Sequence, residues 1–142
     1  MRWAAIVVIL AASFCAFAKE TSLEDMIARA ETAPPGDRPA LYVEIAEHEL
    51  KSADEAYTAG KADQGQAAVK NVVTYSEKAH DAALQSGKRL KGTEIALRKM
   101  AAKLQDIKRT LSFEDQPPLQ SAAERLENLR TDLLGKMFGK NK

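Results

Sequence analysis

His48 and His80 are the only two histidines in the chain, and Cys15 is its single cysteine. Glu77 and His80 form one Glu-x-x-His, the spacing that places two metal-binding side chains on one helical face in di-iron bundles. Such a centre needs a second pair. The residue three positions before His48 is Ile45, so half of that ligand set is missing. Glu44 and His48, one turn apart, would complete a zinc site with Glu77 and His80 only if a hairpin brought both pairs together. There is no H-E-x-x-H, G-x-S-x-G, P-loop or C-x-x-C-H in the chain. The remaining carboxylates read as solvated. No cofactor is expected, and the chain is not expected to be an enzyme.

The second group able to do chemistry is cationic. Residues 86–110 hold eight Lys/Arg against Glu94 and Asp106, whereas residues 19–60 hold four Lys/Arg against ten Asp/Glu. Candidate interaction residues are therefore Lys88, Arg89, Lys91, Arg98, Lys99, Lys103, Lys108 and Arg109. Leu97 and Leu104 join them as members of a leucine seam with Leu90 and Leu111. A basic segment of this kind suits an anionic surface or polymer. It has no aromatic side chain to stack on a base, so nucleic acid is not an expected partner. The cations are expected to surround the apolar stripe, some with i,i+4 partners such as Glu94–Arg98. They would also balance the acidic segment, within the chain or across a dimer.

These side chains must be carried by helices. Apolar residues recur at alternating steps of three and four through most of the chain, and only residues 71–75 look strand-like. A short helix over about 22–32 is capped by Ser22. A second, about 38–59, starts at Asp37 with Pro39 in its first turn and stops at Gly60. Asp63 is the next cap. From Val69 through Ser76, Ala83, Leu90 and Leu97 to Leu111 the stripe never slips. Two helical glycines cost only ~1 kcal/mol each. The spacing therefore predicts one long helix over about 64–111, kinked at Gly87. The alternative is a compact four-helix bundle broken at 87–92, with Thr93 capping the new helix. A last helix, about 118–135, begins at Pro117–Pro118 and ends at Gly135. The fold class is all-α, antiparallel hairpins around a central helix.

Ala53, Tyr57, Gly60, Lys61 and Asp63, followed by a run of small residues, resemble the turn of a tetratricopeptide-type hairpin over about residues 40–75. Gly65 stands where that family's usual alanine would be, and no second copy follows at its ~34-residue period. The resemblance implies a helical hairpin and assigns no functional residue.

At the N-terminus, Arg2, an apolar run from Trp3 to Phe14, and Ala16-Phe17-Ala18 have the form of a secretory signal. Cleavage is expected after Ala18, which removes Cys15 and with it any disulfide or thiol chemistry. The expected organisation is a signal peptide at 1–18, one helical domain at 19–137 and a basic tail at 138–142. The expected location is periplasmic or extracellular, in a bacterium, with no membrane span in the mature chain. Together these readings predict a non-enzymatic exported helical module for binding a protein partner or itself. The alternative is a binder of anionic surfaces or polymers through residues 88–109.

Overall fold

The structure is a computed structural model and describes residues 22–139. The signal segment and residues 140–142 of the basic tail lie outside the described residues. Five α-helices follow in order: α1 Leu23–Thr32, α2 Arg38–Thr58, α3 Ala62–Ser86, α4 Leu90–Arg109 and α5 Pro117–Phe138, with a 3-10 turn at Phe113–Asp115 before the last. Among the described residues every regular element is a helix, so the all-α reading holds. No described helix is long and apolar enough to cross a membrane.

Local chemistry accounts for most of the ends. The Ser22 hydroxyl accepts the Asp25 N–H at 3.2 Å, and Glu24 and Asp25 sit at the positive end of the α1 dipole. Asp37 precedes α2 without a side-chain capping bond, and Pro39 supplies a first-turn residue needing no N–H partner. Gly60 adopts φ +75° after α2. Two expected signals are overridden. α3 starts one residue ahead of Asp63, which lies in the first turn instead of capping it. α5 runs through Gly135 to Phe138, because a lone glycine in a packed helix is a modest cost.

The larger correction is the predicted helix over 64–111. It ends at Ser86, and the compact bundle is what forms. Gly87 has φ +67° and its N–H bonds to the Ala83 carbonyl at 2.9 Å. The Ser86 hydroxyl donates to the Ala82 carbonyl and accepts the Lys88 N–H. Arg89 is also left-handed, at φ +62°, and α4 begins with the next residue. The three-four stripe survives this turn because residues 87–89 fill the space that keeps its phase. A continuous helix of about 70 Å would leave both halves of the stripe exposed. Folded back, the chain buries Val72 and Ala83 of α3 in one core with Leu97, Met100, Leu104 and Ile107 of α4. Thr93 is buried in the first turns of α4 and caps nothing.

Gly87→Ala tests the turn directly. A Cβ there meets no neighbour, so the cost is conformational. The left-handed region disfavours L side chains by ~1–2 kcal/mol. The urea midpoint should fall accordingly, with helical content unchanged by circular dichroism.

α2 with α3 and α4 with α5 make the two most extensive antiparallel pairs, α3 also packs on α5, and α2 lies beside α4. The main core lies between the pairs and is filled by Leu50, Val72, Leu97, Leu104, Leu119, Leu126 and Leu133. A second core holds α1 against α2 and α3 through Met26, Ala30, Tyr42, Ile45 and Ala79. Above it Tyr42 and Tyr75 stack at 6.4 Å, with the Lys78 ammonium within 6 Å of both rings.

Candidate interaction surface

The helical periodicity of α4 sorts its charged residues from its apolar ones. Lys91, Arg98 and Arg109 recur at steps of seven and eleven, which return to nearly the same angle on a helix of 3.6 residues per turn. All three are exposed, as are Lys99 and Lys103 on the adjoining row. The stripe residues Thr93, Leu97, Met100, Leu104 and Ile107 are buried. Lys91, Arg98 and Arg109 therefore share the solvent face of α4 opposite the stripe, while Lys103 and Lys108 flank the stripe towards α2 and α5. Gly92 and Ala102 lie exposed among them, and a Cβ added at Gly92 would meet nothing.

The ten sequence-predicted residues divide into three groups. Leu97 and Leu104 are 0 % exposed in the core with α5, so they cannot form a leucine seam between chains. Arg89, Lys103, Lys108 and Arg109 are engaged within the chain. Arg89 reaches Asp37 at 3.9 Å, Lys103 meets Asp54 at 3.1 Å, and Arg109 meets Asp106 at 3.1 Å. The Lys108 ammonium donates to Gln120 at 2.6 Å. Lys88, Lys91, Arg98 and Lys99 are exposed, and no ion pair within 4.0 Å engages them among the described residues.

Glu94 explains why Arg98 is left over. The i,i+4 pairing expected between them does not form, because Glu94 is buried and turned towards α5. There the Arg130 guanidinium donates to Glu94 at 2.8 Å and to Glu127 at 3.1 Å. The Glu94 bond pushes the guanidinium above its ordinary pKa, and Glu127 adds to it. A carboxylate needs such a partner once it leaves water. Sequence periodicity could have placed Glu94 on the inner side of α4, but its partner lies 36 residues away on another helix.

The four proposed zinc ligands are not brought together. Glu44 is held by Arg29 at 2.7 Å, and its neighbour His48 lines the same trough on the outer face of α2. Glu77 is held by Arg125 at 2.9 Å beside His80, in a shallow hollow between α3 and α5. The two ring nitrogens of His80 face Asp81 at 2.8 Å and Asp132 at 2.6 Å. Those nitrogens point away from each other, so the two carboxylates cannot share one ion with the ring. The Nε2 contact with Asp132 on α5 makes His80 an α3–α5 tie. Among the described residues no group of three or more metal-ligating side chains forms a metal centre.

What remains on the surface is an exposed, cationic helix face, with its free charges in the first half of α4. Compared with known proteins, the chain matches no family model, no curated protein and no solved structure.

Proposed function

We propose that the protein is a non-enzymatic, exported helical module that works by docking a carboxylate-rich protein surface on the outer face of α4. The observation that carries this reading is the group Lys91, Arg98 and Lys99, exposed on α4 and in no ion pair within 4.0 Å among the described residues. Exposed charges a few residues apart on a rigid helix steer an oppositely charged partner and fix its register. Gly92 and Ala102 keep that face low, so a partner element can approach the backbone closely. The side chains with most chemical potential support the non-enzymatic part of the reading. Glu44, Glu77 and His80 are each committed to a tie between helices.

A second reading, docking on an anionic polymer or lipid headgroup, is favoured by Lys88, which is exposed, in no ion pair among the described residues, and extends the cationic group around the top of the bundle.

Crosslinking in the native exported compartment, followed by identification of the adducts, tests the proposal. The double variant Lys91→Glu/Arg98→Glu should lose the adducts that the wild type forms with acidic protein while keeping its circular dichroism spectrum. Identical adducts in both proteins would overturn the reading. Adducts lost in the variant that contain polymer or lipid and no protein would move it to the second one.

A further inference from the structure

We infer that the partner of this face is a second copy of the chain, docked along the edge where α2 and α4 run side by side. The inference rests on the docking reading above and names what docks. α2 and α4 run in the same direction, since α3 returns the chain between them. The Lys103–Asp54 bridge at 3.1 Å and the Arg89–Asp37 contact at 3.9 Å tie the two helices near both ends. On α2, where the exposed Lys51 is paired with Glu55 at 4.0 Å, the free charge of that edge is acidic, and on α4 it is basic. Glu47 precedes Asp54 by two turns and so returns to the same side of α2, where it is exposed and in no ion pair among the described residues. Lys99 precedes Lys103 by one turn on α4, equally exposed and equally unengaged. One turn further back on each helix lies a half-buried aliphatic residue, Val43 on α2 and Ile95 on α4.

An acidic strip and a basic strip lying parallel on one face make that face complementary to itself. A twofold axis parallel to the helices turns the α2 strip of one copy onto the α4 strip of the other, and does so twice, as an isologous dimer requires. The heights agree. Asp54 is level with Lys103 and Asp37 with Arg89, which brings Glu47 alongside the Ile95–Lys99 turn. In the dimer Lys99 meets the second copy's Glu47. Val43 and Ile95 pack at the same level, and Gly92 leaves room for the approach. A foreign acidic partner would need its carboxylates at these heights, whereas a second copy already carries them there.

Sedimentation and light scattering on the purified protein test this. The wild type should show twice the chain mass at low ionic strength and fall to the chain mass as salt screens the strips. Glu47→Lys alone and Lys99→Glu alone should each be monomeric, with circular dichroism unchanged. An equimolar mixture of the two variants should recover the dimeric mass, because each then supplies what the other has lost. The double variant should recover it as well. Dimers that persist in both single variants, or a mixture that stays monomeric, would overturn the inference. A monomeric wild type that still crosslinks a different acidic protein through Lys91 and Arg98 would end the second-copy inference and keep the docking reading. A monomeric wild type with no such adduct would end both.

Discussion

Leu104→Ala is expected to lower the unfolding free energy by ~2–5 kcal/mol and to leave association unchanged. Leu104 has no solvent exposure and lies in the core shared by α4 and α5, with Leu97, Leu126 and Leu133 in the same cluster. Removing three carbons there loses their transfer free energy and leaves a cavity that a close-packed interior fills poorly, which is the source of that range. A domain of this size has ~5–15 kcal/mol of stability, so the variant should remain folded at 25 °C. The check is a urea titration in which the midpoint drops and the slope is retained. Leu104→Met, which conserves volume, should cost less than ~1.5 kcal/mol. Light scattering on the same samples separates two roles for the leucine. A seam between chains would lose mass on truncation with little change in chain stability. A core residue does the reverse, and its complete burial predicts the reverse here.

This leucine shows how far the sequence could be read. Its three-four spacing with Leu97 and Leu111 identified a buried helical face correctly, because periodicity reports which side of a helix avoids water. Periodicity does not report what covers that side. A second chain, a long rod and a folded-back α5 all demand the same stripe. The break at Gly87 was hidden for a related reason. The turn keeps the heptad phase, and its left-handed Arg89 is a conformation that no local residue preference would select. Tertiary burial of both half-stripes outweighs that cost. The cationic face was legible as a charge excess but not as a face. Its free members are free because Glu94 turns inward to Arg130, a long-range choice. The tie at His80 was beyond reach in the same way, since Asp132 lies 52 residues further on. The free charge on α4 is thus a by-product of core packing. The acid that could have neutralised Arg98 is used to hold α4 on α5, and the surface keeps the unmatched cation.

Two helical glycines should respond in opposite senses to the same substitution, and the difference comes from one tyrosine. Gly92 lies within α4, and a Cβ added there meets no atom within 4 Å. Gly92→Ala should therefore stabilise by ~0.5–1 kcal/mol, the usual gain from removing glycine's backbone freedom in a helix. Gly65 lies near the start of α3 and is buried, with the edge of the Tyr57 ring only 2.7 Å from where its Cβ would be. Three ring atoms are that close, so the clash is with a rigid plane and not with the free end of a flexible chain. The ring is confined at its other end as well, since its hydroxyl oxygen is buried without a hydrogen-bond partner among the described residues. Burial, with the Asp115 charge adding to it, pushes the phenol above its ordinary pKa and keeps it neutral. To accept an alanine, Tyr57 must move out of the α2–α3 hairpin or the helices must separate, and overpacking of this kind costs ~1–3 kcal/mol. That exceeds the helix-propensity gain, so Gly65→Ala should destabilise. Tyr57→Leu, made alone, loses ring packing. Combined with Gly65→Ala it should cost less than the sum of the single changes, because the leucine no longer occupies the space the methyl needs. Thermal or urea unfolding of the three variants and the wild type closes the cycle. A stabilising Gly65→Ala, or additivity between the two positions, would show that the ring yields freely and that contact with Tyr57 is not what requires a glycine at position 65.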